Sequence, residues 1–389
     1  MRSKVYTSFM HLLKKDTEIK KFCLHASNEK FVAVDTEFMR TKTYWPKLCL
    51  IQIATSKKAV VIDALTDNKH LEPIKKLLIN PKILKVFHGA RQDLEVIYHV
   101  FGKPVKSIFD TQVAAMVCGF DHPISYAKLV SKLIKIKINK KERSSDWSLR
   151  PLTKQQIKYA LSDVVYLKKI YKILLKMLEK NKRLNWIKDE MQNLQKKEHY
   201  ITEPKTIWKK IKFSNKPSDQ INIIKRLAEY RELEAQGQDL PRSWLLTDRE
   251  ILQIARIKPK TEEAIRKEWL ISKQNMKKND LQKIISIVKL KNKNVRSKKG
   301  VGRSSGNSET NESIRGMLML LLKLKCKEYG VAEKMIATND QVQDIASGHR
   351  SKVPALSGWR KEIFGNDAIR LRKGEISLKI KRGKIILAQ

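Results

Sequence analysis

Four carboxylates in three separated segments could share divalent cations. Asp35 and Glu37 stand in VDTEF, Asp93 in FHGARQDLEVIY, and Asp163 in YALSDVVYL, four residues after Tyr159. A phosphodiester is anionic and a poor electrophile, so its hydrolysis needs an activated water and a stabilised leaving oxygen. Two Mg2+ ions about 3.5–4 Å apart can supply both. Such hard cations are held by a few carboxylates plus phosphate oxygens, and four carboxylates are enough for the purpose. The attacking water would already be acidified, so a weakly basic or hydrogen-bonding group such as the Tyr159 hydroxyl would suffice to align it.

Each segment taken singly has a plainer explanation. Side chains at i and i+2 of a strand share a face, so Asp35 and Glu37 project together; an intervening cation relieves their repulsion, and so does a solvated strand end. Asp93 falls in the first turn of a helix, where an acid can cap or complement the dipole. Tyr159 and Asp163, at i and i+4, share a helix face, and a tyrosine there can equally pack on the core with its hydroxyl at the surface. The combination, in this order and at single-domain spacing, favours the metal site.

Hydrophobic periodicity shows which elements must position these residues. Phe31–Phe38, Leu48–Thr55 and Ala59–Asp63 read as three successive strands, the last two joined by the tight polar segment Ser56–Lys58, which makes neighbours antiparallel. Ile83–Phe87 and Ser107–Phe109 read as later strands, each followed by a helix, Ala90–Val100 and Thr111–Cys118. Strands followed by helices add in parallel to the same sheet. A long helix from Lys154 to about Lys180 closes a mixed sheet of about five strands flanked by helices. From Pro217 the pattern is all-helical, with Asp219–Gln236, Asp248–Ala255 and Thr261–Ser272. Lys289–Arg303 holds seven basic residues and no acidic one, and Gly and Ser follow, the composition of a flexible linker. Ser313–Tyr329, Asn339–Ala346, Ala355–Phe364 and Asn366–Lys373 resume helical character before a lysine-rich, strand-like tail. The expected organisation is an α/β domain over 1–205, a helical module over 212–290, a basic flexible linker over 291–311 and a second helical module over 312–389.

The formal net charge is +42, with 82 Lys plus Arg against 40 Asp plus Glu. A nucleic-acid partner is the economical explanation, since phosphate neutralisation supplies much of such affinity. The excess of Lys over Arg, with abundant Ile and Asn, is also what AT-rich codons would produce. Cys23, Cys49, Cys118 and Cys326 are scattered without metal-type spacing, which points to neither a disulfide framework nor a zinc site and suits a reducing cytoplasm. The N-terminal stretch carries charges where a signal peptide needs its apolar core. The longest apolar run, Met317–Leu322, falls far below the ~20 residues of a membrane span. A cytoplasmic protein without membrane association is expected.

VAVDTEFMR, TYWPKLCLIQIA, KVFHGARQDLEVIY, FDTQVAA, SYAKLV and SDWSLRPLTKQQIKYALSDVVYL together resemble bacterial ribonuclease D, a family of the DEDD exonuclease superfamily, across nearly the whole first domain. The resemblance implies a ribonuclease H-like α/β exonuclease domain. It also implies that Asp35, Glu37, Asp93 and Asp163 bind two divalent metal ions, Mg2+ or Mn2+, and that Tyr159 positions the nucleophilic water. Lys158 stands where the histidine branch of the superfamily would carry its His, so the chain is similar to the tyrosine branch. The stretch IIKRLAEYRELEAQGQDLPRSWLLTDREILQIARIKPKT resembles the helicase-and-ribonuclease D C-terminal (HRDC) module, a small helical nucleic-acid-binding domain. GWRKEIFGNDAIRLRKGEI is consistent with a second, diverged HRDC-like copy, giving two small all-α modules after the exonuclease domain. The family implies a 3′ to 5′ exoribonuclease that trims extra 3′ nucleotides from tRNA precursors and other small structured RNAs, releasing nucleoside 5′-monophosphates. Two modules on one chain could surround the substrate, so a monomer is expected.

Phe38, His88 and Gln92 flank the expected ligands and are candidate contacts to the 3′-terminal nucleotide, although His88 could instead be a satisfied near-site histidine. Asp110 and Asp146 are better explained as caps, and Trp147 as a core anchor. GVGRSSG lacks the Lys-Ser/Thr ending of a phosphate loop and follows no strand. A DNA 3′ exonuclease would use the same carboxylates, since nothing in the motif reads a 2′-hydroxyl. A non-catalytic nucleic-acid-binding protein of the same fold is disfavoured because all four acids and the tyrosine are present.

Overall fold

A computed structural model describes residues 11–65, 68–120, 123–213, 216–267, 278–290, 308–349 and 351–388. Its centre is a mixed sheet of β1 (His11–Leu13), β2 (Phe31–Met39), β3 (Lys47–Ala54), β4 (Ala59–Asp63), β5 (Leu84–Phe87) and β6 (Ile108–Asp110), in the order β1-β4-β3-β2-β5-β6. β2, β3 and β4 form an antiparallel meander, while β1, β5 and β6 join their neighbours in parallel. The strands expected from sequence lie within a residue or so of these. β1 was not among them, because three residues are too few for an alternation to register.

Pleating sorts the two faces of the sheet. Val34, Ile53 and Val60 lie in register across β2, β3 and β4 and are buried against α1 (Asp16–Ala26), α2 (Glu72–Ile79) and α3 (Arg91–Phe101) through residues such as Phe22, Leu78 and Ile97. The opposite face carries Ala33 and Val86, which pack with α4 (Thr111–Val117) and α5 (Tyr126–Ile134). The long helix expected over Lys154–Lys180 is instead two, α6 (Lys154–Val165) and α7 (Leu167–Lys180). At the break the Ser162 carbonyl, which a continuous helix would pair with the Tyr166 amide, accepts a hydrogen bond from the Tyr126 hydroxyl at 3.0 Å. A side chain inserted into the helical ladder is a recognised cause of such breaks. α6 covers Leu50 and Val61 of the sheet, α7 continues over β5 toward α4, and α8 (Leu184–Asn193) follows.

The remaining chain is helical: α9 (Ser218–Gln238), α10 (Arg242–Leu245), α11 (Asp248–Ile257), α12 (Glu262–Lys267) and α13 (Lys278–Lys289), then α14 (Ser308–Tyr329), α15 (Glu333–Ile336) and α16 (Asn339–Ala346). α12 corresponds to the start of the helix expected over Thr261–Ser272, whose residues from 268 lie outside the described residues, as does most of the expected linker, 291–307, including GVGRSSG; residues 308–311 already belong to α14. The helix expected over Ala355–Phe364 is split into short turns, with Gly358 in the left-handed region at φ 52°. The tail is an antiparallel hairpin of β7 (Ser377–Lys381) and β8 (Lys384–Ala388). Two stretches follow the same succession. A long helix, α9 or α14, leads to a one-turn helix, α10 or α15, and then to a helix opened by a threonine capping box, Thr247 with Glu250 or Thr338 with Gln341.

Both helical stretches rest on the α/β domain. The first meets the β2–β3 loop, where the Tyr44 hydroxyl donates to the buried Glu232 of α9 and the Trp45 amide donates to Asp239 at 2.9 Å. The second shares one apolar core with α4, α7 and α8. There Trp359 stacks on Trp186 with ring centroids 4.3 Å apart and an interplanar angle of 1°, its Nε1 donating to the Trp186 carbonyl at 3.1 Å. Gly119, at φ 86°, lies so close to Gly330 that a Cβ would stand 2.8 Å from the Gly330 carbonyl oxygen.

Candidate active site

β2 presents Asp35 and Glu37 to the face on which α6 packs, and α6 brings Tyr159 and Asp163 to meet them. Carboxylate oxygens of Asp35, Glu37 and Asp163 lie within 4.8 Å of one another. Together with Asp93 and Tyr159 they line a cavity of about 500 Å³. The pairing of β2 with β3 shifts between Glu37 and Phe38. Such a bulge re-aims side chains, and here both residues border the cavity. Asp93 arrives from the first turn of α3, on the other side of the sheet. It stands outside the 4.8 Å group, and its Oδ1 accepts a hydrogen bond from Thr36 Oγ1 at 2.5 Å.

The electrostatics follow from crowding acids in a partly dry site. Burial, and then repulsion from Asp93, Asp163 and Glu37, holds Asp35 well above the usual carboxylate range. Burial, and then repulsion from Asp163 and Asp93, pushes Glu37 up to about 9. Burial pushes Asp163 up to about 7 against a hydrogen bond from Tyr159, and pushes Asp93 up to about 7 against the bond from Thr36. An all-oxygen, carboxylate donor set of this kind fits Mg2+ or Mn2+ rather than a softer metal.

Tyr159 is held from behind. Its ring stacks on Trp147 with centroids 6.0 Å apart, and Trp147 is buried. Trp147 is fixed in turn by Arg150, whose Nε and Nη2 reach the two carboxylate oxygens of Asp63 at 2.7 and 2.6 Å, while Nη1 donates to the Trp147 carbonyl at 2.8 Å. Burial pushes Asp63 up, yet the bonds from Arg150 hold it below the usual range. α6 starts at a capping box of Thr153 and Gln156, which sets the phase that turns Tyr159 and Asp163 to the cavity.

The residues named from sequence fall into two groups. Phe38 and Gln92 line the cavity beside the carboxylates. His88 also borders it, but Nδ1 lies 3.0 Å from Thr111 Oγ1 and Nε2 lies 3.1 Å from the Ile124 carbonyl oxygen, so both ring nitrogens are engaged within the protein. Burial holds His88 below its ordinary value. Asp110 caps α4 through the Gln112 amide at 2.8 Å and also accepts from the amides of Gly89 and Ala90 at 2.9 Å, fixing the turn that leads to Asp93. Asp146 accepts from the Ser148 amide at 2.9 Å. Sequence reasoning missed Arg40, Tyr126 and Arg143, which also line the cavity; their only signal was proximity to the motifs around VDTEF, SYAKLV and SDWS.

Residues 10–179 match the 3′–5′ exonuclease family, and residues 220–288 match the HRDC domain. A ribonuclease D from Bartonella henselae is 37% identical over 98% of this chain and 94% of its own length. Another, from a Jannaschia species, is 38% identical over 97% of this chain and 99% of its own. The chain belongs to the ribonuclease D family. It is therefore a 3′–5′ exoribonuclease, with a ribonuclease H-like exonuclease domain followed by an HRDC domain. Its fold is similar to the crystal structure of RNase D from Escherichia coli, an exoribonuclease involved in structured RNA processing. The TM-score is 0.78 at 23% identity, over 94% of this chain and 99% of that one. Among the described residues no helix is long and apolar enough to cross a membrane.

Proposed function

We propose that this exoribonuclease trims extra 3′ nucleotides from tRNA precursors and other small structured RNAs in the cytoplasm, by two-metal-ion hydrolysis that releases nucleoside 5′-monophosphates. The observation that carries the mechanism is the convergence of Asp35, Glu37 and Asp163 within 4.8 Å, beside Asp93 and Tyr159 in one cavity. The four acids would hold two divalent cations, Mg2+ or Mn2+. When bound, these supply charge neutralisation at the scissile phosphate, acidify water and stabilise the departing 3′ oxygen. The protein's own part is positional. Tyr159, braced by Trp147, offers its hydroxyl to orient the attacking water, and Phe38 and Gln92 face the 3′-terminal nucleotide. Titration of the acids then governs cation capture.

The expected division into an exonuclease domain (1–205), an HRDC module (212–290), a basic linker (291–311, its last four residues already in α14) and a second, diverged HRDC-like module (312–389) belongs to the same proposal. It is supported by the matched succession of long helix, one-turn helix and capping-box helix in the two C-terminal stretches. With two such modules on one chain, a monomer suffices.

The test is hydrolysis of a 5′-labelled tRNA-like hairpin with a short single-stranded 3′ tail, beside its DNA counterpart, with Mg2+ and with chelator. The expected result is a metal-dependent ladder on RNA that stops at the stem, and no turnover by Asp35→Asn or Asp163→Asn at undiminished thermal stability. Preference for the DNA counterpart would overturn the substrate, and full activity of either variant would overturn the metal assignment.

A further inference from the structure

A second cavity, of about 550 Å³, opens where the exonuclease domain meets the first helical module. Its walls come from the β2–β3 loop, from α3, from residues 199–210 and from the start of α10. Two features suit it to a polyanionic strand. The first is charge. Arg40, Arg91, Lys210 and Arg242 line it against a single carboxylate, Glu95. Arg40 is occupied by Glu95, and Arg242 by Glu232 behind the wall. Arg91 and Lys210 are exposed and, among the described residues, have no carboxylate partner. The second is aromatic surface. Trp45 and His99 lie half-buried with ring centroids 4.3 Å apart on this wall. Cationic grooves interleaved with aromatic faces are how proteins hold single-stranded nucleic acid without reading sequence.

The cavity also adjoins the catalytic one. Arg40 lines both. Helix α3 divides its surface between them: Gln92 and Asp93 face the carboxylates, whereas Arg91, Glu95 and His99, spaced four residues apart on one face, border the second cavity. We infer that this second cavity binds the backbone phosphates of the single-stranded RNA immediately 5′ of the nucleotides in the catalytic cavity, with Arg91 and Lys210 as its free cations. The inference rests on the exoribonuclease reading. It gives the interface between the two domains a purpose: an RNA tail is gripped only when the exonuclease domain and the module stand together.

The experiment compares wild type with Arg91→Ala, Lys210→Ala and the double variant. Binding of a labelled oligoadenylate of about a dozen nucleotides is measured by fluorescence anisotropy across a salt series with chelator present, and hydrolysis of that oligomer and of an RNA dinucleotide is measured with Mg2+. For a single strand each phosphate contact contributes about 0.7 to the slope of log K against log salt. Each substitution should therefore weaken oligomer binding about fivefold at 0.1 M salt, and the pair roughly 25-fold, with the slope falling by about 1.4. Dinucleotide hydrolysis should be unchanged. Unaltered oligomer affinity and slope in the double variant, or equal losses on oligomer and dinucleotide, would overturn the second site. If wild type binds the oligomer but cuts neither substrate, the exoribonuclease reading falls, while the anisotropy data still decide the site.

Discussion

Replacing Trp359 by alanine asks whether the exonuclease domain and the C-terminal helices melt as one body. Trp359 is buried, stacks on Trp186 and donates its indole N–H to the Trp186 carbonyl. Removing a buried tryptophan costs about 3–5 kcal/mol, so about 4 kcal/mol is a fair expectation. The two parts share one apolar core and together comprise roughly 280 residues, whose unfolding entropy near the midpoint is about 0.6 kcal/mol/K at ~2.1 cal/mol/K per residue. A single shared transition should then fall by about 7 °C. If the C-terminal stretch of roughly 80 residues melted alone, its own transition would fall by about 24 °C and the exonuclease transition would not move. Differential scanning calorimetry separates these outcomes. An exonuclease transition that stays at its wild-type temperature would refute the shared core. Trp359→Phe, which keeps most of the stack but loses the hydrogen bond, should cost only about 1 kcal/mol.

Two further expectations concern the site. Arg150→Ala leaves the buried Asp63 carboxylate without its bidentate partner and should destabilise the protein by about 3 kcal/mol, read as a lower Tm, and lower kcat because Trp147 no longer braces Tyr159; Arg150→Lys should recover only part, since an ammonium cannot bridge both oxygens in the plane. In metal-free protein, Glu37 at about 9 and Asp93 and Asp163 at about 7 bind protons more tightly than in the unfolded chain. Over the window from the ordinary carboxylate value up to those values the folded state holds more protons, so these groups lower stability as pH rises. Mg2+ should therefore raise Tm more at pH 8 than at pH 5, and an equal rise at both would contradict the carboxylate site.

The parts of the fold carried by local pattern were legible in the sequence. Strands with long apolar alternation, such as β2 and β3, stood out, and the spacing of Tyr159 and Asp163 already placed both on one helical face. What stayed hidden depended on partners distant in the chain. The interruption at Tyr166 arises where the Tyr126 hydroxyl meets a carbonyl of another helix, and no periodicity within 154–180 encodes that meeting. His88 could be proposed as a nucleotide contact because its neighbours Thr111 and the Ile124 carbonyl are supplied by later segments. Asp110 was recognisable as a cap for the helix that follows it, but its second set of bonds, to the turn before α3, required β5 and β6 to lie side by side.

The pairing of Trp186 with Trp359 also sets a schedule for the living cell. The two residues are 173 positions apart, and a ribosome adding about 5–20 residues per second needs roughly 9–35 s to cover that distance. Throughout that interval the exonuclease half has emerged with the apolar side of α4 and α8 uncovered, a sticky surface awaiting its own C-terminus. Premature termination anywhere in the helical region would make that exposure permanent, so truncated products should be marked for chaperone capture and degradation rather than persist as a smaller nuclease.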